Sequence, residues 1–421
     1  MTNSNERRDQ PTAPSGEVPG AGEADLHALF DEVDTKRLRA SRSIKWTKHP
    51  SDVIPAFIAD MDFAPPPAIS AALTAWLTDG FLGYPGWEYH GRVQAVASSY
   101  LHRRYGMVDD PGRLLLQTDV VQGMHAAMEV WSEPGDAILV LTPIYPPFLG
   151  VIREQGRRLL EYRMTSQDGR YGFDVDALRA LVAEHRPSML LLCNPHNPTG
   201  RVFTVDELTA LAALAIEFEM TLVSDEIHSE LVFAPYEHVA FETLSDEARA
   251  RTVTITSASK ACNLAGLRTA VLIFGTKALR QQFDAHFSSH LLGVVSVPGM
   301  VAMETAWSDP SVARWQAACV GALEERAQQF RAGICAGAPE LGLVPLEGTY
   351  LAWVDFSAVK RSYAAGESVA THLLTEARLA LSEGPTFGSG LEKFARVNLA
   401  TSPAIVDEIV TRIVGWVDRQ R

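Results

Sequence analysis

The stretch from Thr254 to Arg268 reads TITSASKACNLAGLR. Around its start, apolar Val253 and Ile255 alternate with threonines, which is the period-two pattern of a β-strand. The pattern ends in two serines, and Lys260 follows directly. A lysine at a strand end can face a cleft, where desolvation and a nearby cation lower the pKa of its amine and let it form a Schiff base. The alternative is a solvated surface lysine, the usual state of charged side chains.

Three further stretches favour the cleft. They read CNPHNPTG at 193–200, LVSDEIH at 222–228 and FARVN at 394–398. Taken in chain order with the segment SASK at 257–260, they resemble the class I/II aminotransferases, which are fold-type I enzymes that use pyridoxal 5'-phosphate (PLP). The resemblance extends from about Arg39 to the C-terminus, which is nearly the whole chain.

A narrower resemblance rests on IADMDF at 58–63, Gly83-Tyr84 and DEIH at 225–228. These segments are similar to the cystathionine β-lyase, or carbon–sulfur lyase, branch of the family. The resemblance implies elimination from cystathionine or an L-cysteine S-conjugate, giving a thiol, pyruvate and ammonia. Two alternatives stay open: an aminotransferase acting on an α-amino acid, and a PLP-binding regulatory protein, since one member of this branch also restrains a transcription factor.

Composition and charge exclude several classes of function. The chain has 421 residues, of which 47% are hydrophobic and 21% charged, an ordinary globular composition long enough for two domains. The formal net charge of -14 argues against nucleic acid or an anionic membrane as a partner. No apolar run approaches the ~20 residues of a transmembrane helix, and no signal-peptide core follows Arg7 and Arg8. Four cysteines without metal-type spacing indicate reduced thiols, so we expect a cytoplasmic protein without a metal.

The chain divides into four expected regions. Residues 1–24 are rich in proline and glycine and contain no aromatic side chain, which predicts a disordered tail. We expect residues 25–75 to pack with a small domain and residues 76–311 to form the PLP-binding large domain. Residues 312–421 should form the smaller α+β C-terminal domain.

Strands and helices alternate through the middle of the chain, which predicts an α/β fold with a parallel sheet. Thr204 and Glu207 form the capping-box pattern of one helix, and Ser402-Pro403 is the start pattern of the last helix. The resemblance implies a fold-type I PLP-dependent transferase, with a mostly parallel sheet in the large domain and a smaller α+β domain. The expected strands of the large domain are 114–118, 137–142, 188–193, 221–224 and 269–274.

Asp225 directly follows an apolar strand pattern. Ligands of open α/β sheets bind at the carboxyl ends of strands, and the chain between Asp225 and Lys260 can form a helix and one strand. The resemblance implies that Lys260 is the catalytic lysine that carries PLP. It also implies that the Asp225 carboxylate keeps the pyridine nitrogen of PLP protonated. The alternative for Asp225 is a capping or turn aspartate.

Three residues are expected around the ring of the cofactor. Two prolines fix the loop that presents Asn197, and the resemblance implies that Asn197 donates a hydrogen bond to the 3'-oxygen. His228 occupies a position near the same oxygen, where some relatives have tyrosine. Tyr145 matches the aromatic residue that stacks on the ring. The structural alternatives are a rigid turn for Asn197, a satisfied turn histidine for His228 and a core tyrosine for Tyr145.

The segment DVVQG at 119–123 resembles the phosphate-binding turn of the family. Backbone amides at a helix N-terminus bind phosphate, so we expect Val120 and Val121 to donate theirs, ahead of a helix at 124–131. The family usually has glycine in place of Asp119 and proline in place of Gln122. Because a carboxylate repels a phosphate dianion, we expect Asp119 to point away or to meet the substrate.

The remaining phosphate donors come from the resemblance alone. Ser257 and Arg268 match two of them. Tyr84 matches a tyrosine that reaches the phosphate from the neighbouring subunit, which implies a homodimer with shared active sites.

Arg396 lies between Ala395 and Val397 in an expected strand. A buried guanidinium needs an anionic partner and can bind a carboxylate through two parallel hydrogen bonds. The resemblance implies that this partner is the α-carboxylate of an amino-acid substrate. A structural ion pair is the alternative.

Overall fold

The structure, a computed structural model, describes residues 23–167, 169–287 and 295–421. The predicted disordered tail lies outside the described residues, except for Glu23 and Ala24, which are helical and correct the end of that prediction. The helices described are α1 (Glu23–Asp31), α2 (Thr35–Ala40), α3 (Ile44–Thr47), α4 (Pro67–Asp79), α5 (Trp87–Tyr105), α6 (Val120–Trp131), α7 (Pro146–Glu154), α8 (Val175–His185), α9 (Val205–Glu217), α10 (Asp246–Arg249), α11 (Lys277–His286), α12 (Val297–Ser308), α13 (Pro310–Gly337), α14 (Val369–Glu376) and α15 (Pro403–Asp418). The strands are β1 (Ile54–Ala56), β2 (Leu114–Gln117), β3 (Ala137–Thr142), β4 (Arg158–Arg163), β5 (Thr165–Gln167), β6 (Arg170–Gly172), β7 (Met189–Cys193), β8 (Thr221–Asp225), β9 (Thr252–Thr256), β10 (Ala270–Phe274), β11 (Gly342–Leu343), β12 (Leu351–Asp355), β13 (Leu379–Glu383) and β14 (Phe394–Asn398).

The large sheet has the strand order β2-β10-β9-β8-β7-β3-β4. Strand β10 is antiparallel to β2 and β9, and the other neighbours are parallel, so the prediction of a mostly parallel sheet is confirmed. Every residue of β7 and β9 is buried, because helices pack on both faces of the sheet. The threonines that alternate along β9 therefore do not face solvent. Their hydroxyls find partners inside, as when Thr256 donates to the carbonyl oxygen of Glu226 at 3.1 Å.

The small sheet has the order β1-β13-β14-β12-β11. Strand β1 pairs in parallel with β13, and the remaining pairs are antiparallel. Residues 54–56 of the N-terminal region thus form one edge of a sheet whose other strands come from the end of the chain. Helix α15 covers this sheet with Ile405, Ile409 and Ile413, as its apolar stripe predicts. The exact domain boundaries stay predictions.

Helix α13 belongs to two hydrophobic cores. Near its start, Val312 and Trp315 belong to the hydrophobic core that also contains side chains of the large-domain strands β2 and β10. Near its end, Phe330 and Ile334 pack with the small sheet. The two cores are therefore joined by one continuous helix of 28 residues.

Helix α6 begins at Val120, so the predicted start at Met124 is wrong. The carboxylate of Asp119 caps the helix by accepting a hydrogen bond from the amide of Gln122 at 2.7 Å, which draws the first turn into the helix. Gly123 lies against the sheet, where an added Cβ would stand 2.6 Å from Leu272. This glycine lets the helix N-terminus approach the sheet closely.

Two other helix starts agree with the sequence patterns. Thr204 and Glu207 form the capping box of α9, and Pro403 follows the N-cap residue Ser402 at the start of α15. Within the described ranges, no helix is long and apolar enough to cross a membrane.

Candidate active site

A cavity of about 490 Å³ opens at the carboxyl ends of the strands of the large sheet. The loops that follow β2, β7, β8 and β9 all contribute to its wall. This is the position at which open α/β sheets bind ligands. The predicted site residues that line the cavity are Val120, Val121, Tyr145, Asn197, Asp225, His228, Ser257, Lys260 and Arg268.

Lys260 is partly buried in the cavity wall, and its ammonium nitrogen donates to the carbonyl oxygen of Ala59 at 2.8 Å. Burial lowers the pKa of this amine, and the charge of Arg396 lowers it further. The carboxylates of Asp60 and Asp225 oppose the shift. At neutral pH a larger fraction of such an amine is in the neutral form, which is the form that acts as a nucleophile or base.

Asp225 ends strand β8 beside Lys260 in the same cavity and is only 3% exposed. One carboxylate oxygen accepts a hydrogen bond from the amide of Ile227 at 3.1 Å, so Asp225 also shapes the turn after the strand. Burial raises the pKa of this carboxyl to about 7, although the amide bond and Lys260 pull it down. A cationic N–H group placed against Asp225 would restore its ionised form.

His228 is buried against the same cavity, and its Nδ1 atom has no hydrogen-bond partner within the described part of the chain. Burial and the charges of Lys260 and Arg396 lower the pKa of the imidazole to about 3, so the ring is neutral. The ring of Tyr350 packs edge-on against His228 at 6.1 Å between centroids, and its hydroxyl donates to the carbonyl oxygen of Ala59 at 2.9 Å. No sequence motif marks Tyr350, which sequence reasoning missed.

Arg396 lies just behind the cavity wall and is only 4% exposed. Its guanidinium donates to the side-chain oxygen of Asn197 at 2.9 Å, to the carbonyl oxygen of Phe57 at 2.9 Å and to the hydroxyl of Ser382 at 3.1 Å. Its Nε atom has no partner among the described residues, and burial lowers the pKa of the group to about 10. None of the described carboxylates forms an ion pair with it, so the structure does not have the structural ion pair that was the alternative.

The other end of the cavity contains the N-terminus of α6 and Arg268. Here Asp119 pairs with the guanidinium of Arg268 and lines the cavity, so it does not point away. The other alternative, that Asp119 meets the substrate, stays a prediction. Ser257 and Ser259 lie nearby, with 2.7 Å between their hydroxyl oxygens. Helix amides, hydroxyl groups and a guanidinium are the donors that bind phosphate.

Tyr84 lies outside this cavity and is 92% exposed. It stands in an exposed apolar group with Phe81, Leu82 and Trp87. The contribution of Tyr84 to a second subunit's site therefore stays a prediction. Tyr145 lines the cavity as expected, and burial raises the pKa of its phenol.

Two asparagines hold segment 58–63 beside Lys260, and sequence reasoning missed both. Asn263 donates to the carbonyl oxygen of Met61 at 3.0 Å and accepts from its amide at 3.1 Å. Asn398 donates to the carbonyl oxygens of Ile58 and Asp60, at 2.5 and 2.7 Å. These bonds fix the backbone carbonyl that receives the lysine.

The arrangement fits PLP. Asp225 offers a buried carboxylate without a cationic hydrogen-bond partner among the described residues, as a protonated pyridine nitrogen requires. The unpartnered nitrogen of His228 can bind a polar substituent of the ring, and the α6 end carries donors for the phosphate. Lys260 lies in the same wall.

Comparison with known proteins identifies the family. Residues 57–413 match the model of the family described as aminotransferase class I and II. The chain is 33% identical over 417 residues to a putative cystathionine β-lyase of Mycobacterium tuberculosis, covering 91% of this chain and 97% of that protein. It is 30% identical over 378 residues to cystathionine β-lyase PatB of Bacillus subtilis, covering 89% and 96%. The structure of cystalysin from Treponema denticola, which contains PLP, superposes with a TM-score of 0.85 at 27% identity, over 93% of this chain and 99% of that one. The chain therefore belongs to the aminotransferase class I and II family of fold-type I, PLP-dependent enzymes.

Proposed function

We propose that this protein is a PLP-dependent carbon–sulfur β-lyase. Its substrate is cystathionine or another L-cysteine S-conjugate. The reaction breaks the bond between Cβ and sulfur and consumes one water, and the products are a thiol, pyruvate and ammonia. The long match to two proteins named as cystathionine β-lyases supports this choice within the family.

The observation that carries the proposal is the buried guanidinium of Arg396, which has no ion-pair partner among the described residues. It lies behind the cavity wall and donates to Asn197, which lines the cavity together with Lys260. A desolvated arginine of this kind binds a carboxylate strongly and in one orientation. The α-carboxylate of an amino acid bound there would place Cα within reach of the lysine side of the cavity.

We assign the proton transfers to Lys260. Asp225 would hold the ring nitrogen of PLP, and the bound cofactor would supply an electron sink that makes the Cα–H bond acidic. The neutral amine of Lys260 removes that proton, and its depressed pKa favours the neutral form. Arg396 and Asn197 hold the carboxylate still, and sulfur leaves Cβ with the electron pair of the broken bond.

The test is incubation of the purified, PLP-loaded protein with cystathionine and a series of cysteine S-conjugates, without a keto acid. We expect thiol, pyruvate and ammonia in equal amounts, and no turnover by Lys260→Ala. Lys277→Ala is the matched control, because Lys277 also follows a strand but is exposed and paired with Asp110. Borohydride reduction and peptide mapping should place the cofactor on Lys260. Cofactor on another lysine would contradict the site.

The second candidate is an aminotransferase, because the same lysine can return the proton to the cofactor when Cβ carries no leaving group. This activity stays a candidate because the family that the chain matches is described as aminotransferase class I and II. Product that appears only after a keto acid is added, with no thiol, would replace the lyase by this activity. Absence of both reactions together with PLP uptake would favour the regulatory alternative.

A further inference from the structure

The carboxylate of Asp119 already holds two of the groups that a phosphate would use. One oxygen accepts from the amide of Gln122 at 2.7 Å, and the other pairs with the guanidinium of Arg268. Asp119 and Arg268 line the end of the cavity that also contains Ser257. An anion supplied by the chain therefore satisfies the phosphate end of this site.

The pair is held from both sides. Asp119 is the N-cap of α6, which fixes its side chain over the first turn of that helix. Arg268 has a left-handed backbone with φ 54°, and its guanidinium reaches the carboxylate of Asp119 at the start of the helix. The guanidinium is 66% exposed and the carboxylate 22% exposed, so the ion pair lies at the mouth of the cavity and can exchange partners.

We propose that Asp119 is an internal competitor for the phosphate group of the cofactor. In the cofactor-free protein it neutralises Arg268. When phosphate binds, it shares or releases Arg268 and repels the dianion. The inference rests on the proposed function, because it assigns this end of the cavity to phosphate.

Two consequences follow from the charges. Removing the charge of Asp119 frees Arg268 and also removes a like charge beside the phosphate, so both effects strengthen phosphate binding. A ligand without a phosphate group gains nothing. The affinity for PLP should therefore increase, whereas the affinity for pyridoxal, which has the ring but no phosphate, should not change.

The experiment compares cofactor-free wild-type protein with Asp119→Asn by titration with PLP and with pyridoxal, followed by absorbance. Asparagine is as good a helix cap as aspartate, so the helix start is preserved. We expect PLP to bind Asp119→Asn on the order of tenfold more tightly, with pyridoxal affinity unchanged. The matched control is Asp174→Asn, because Asp174 caps α8 in the same way, accepting from the amide of Ala177 at 2.9 Å, and does not line the cavity.

A double-mutant cycle adds a second readout. Arg268→Ala should reduce PLP affinity more in the Asp119→Asn background than in wild type, because there the guanidinium is not shared with Asp119. Equal or weaker PLP binding by Asp119→Asn, or an equal gain for pyridoxal, would overturn the inference and leave the proposed function standing. Wild-type protein that takes up no PLP would overturn the proposed function itself.

Discussion

Two arginines lie near one cavity, and their surroundings differ: Arg396 is buried behind the cavity wall, and Arg268 lies at the mouth. Arg396 is 4% exposed, receives only neutral acceptors and keeps one nitrogen without a partner among the described residues. Arg268 is two-thirds exposed and already neutralised by Asp119. The difference shows that residue type alone does not define an anion site. A cation that the fold leaves unpaired binds an anionic ligand strongly. A cation with an internal partner binds the ligand less tightly, because the ligand must share or displace that partner.

The comparison predicts the largest effect for Arg396→Ala. A buried charge that loses its partner costs about 2–5 kcal/mol, so kcat/KM for amino-acid substrates should fall about 30- to 5000-fold. PLP uptake, followed by its absorbance, should change far less, since other residues hold the cofactor. Arg396→Lys should restore activity only partly, because an ammonium cannot form two parallel hydrogen bonds to a carboxylate. An equal loss on amines that lack the carboxylate would show a structural role instead.

The buried carboxylate of Asp225 gives the second prediction. Burial raises the pKa of Asp225 in the folded, cofactor-free protein from the ordinary value of 3.8 to about 7, so the folded state holds this proton more tightly than the unfolded state. The contribution of Asp225 to the free energy of unfolding therefore falls as the pH rises from about 4 to about 7, by an amount on the order of a few kcal/mol. Asp225→Asn should remove this part of the pH dependence.

Urea unfolding of both cofactor-free proteins across that pH range measures the effect. The variant should be the more stable protein at pH 8 and should equal wild type near pH 4, where the aspartate is neutral. The same variant should bind PLP more weakly, because it lacks the negative charge for the ring nitrogen. Parallel pH profiles of the two proteins would contradict the assignment.

A moderate effect is expected for Arg268→Ala. This arginine is exposed and shared with Asp119, so PLP affinity should fall only about tenfold. The loss should shrink as salt is added, because exposed charges are screened. At saturating PLP the variant should keep the kcat/KM of wild type. A larger loss of kcat/KM on amino acids than on amines without a carboxylate would contradict this prediction. It would mean that Arg268 binds the substrate carboxylate and not the phosphate.

The smallest effect concerns Tyr84. If its hydroxyl reaches the phosphate of a second subunit, Tyr84→Phe should lower PLP affinity about threefold, the equivalent of one ordinary hydrogen bond. Sedimentation should show a dimer for wild type and variant. Tyr236→Phe is the control, as a partly exposed tyrosine outside the cavity. A monomer that keeps full affinity and activity would remove Tyr84 from the site.

The positions of Lys260 and Asp225 could be predicted because each follows a local pattern. An apolar run predicts a buried strand, and the polar residue at its carboxyl end must lie at the edge of the sheet where ligands bind. Parallel pairing of β8 and β9 then brings both residues to one cavity. The order of elements predicts where the two residues lie, whereas their roles were implied by the resemblance to the aminotransferase family.

The environment of each arginine could not be predicted in this way. Arg396 donates to the backbone carbonyl of Phe57, and every residue has such a carbonyl, so no residue type marks it. Asp119 was expected to avoid the phosphate because its charge was weighed without the guanidinium of Arg268, which is far away in sequence. Strand β1 has three residues, too few for a periodic pattern to show that it joins the small sheet.

Helix α13 has a mechanical consequence for substrate capture. Arg396 belongs to the small sheet and Asn197 to a loop of the large sheet, and they are joined by a hydrogen bond of 2.9 Å. One helix of 28 residues is embedded in the cores on both sides of that bond. Any rotation that increases the distance between Arg396 and Asn197 must bend helix α13 or pull its side chains out of one of the two cores. The helix therefore resists changes in the distance between Arg396 and Asn197.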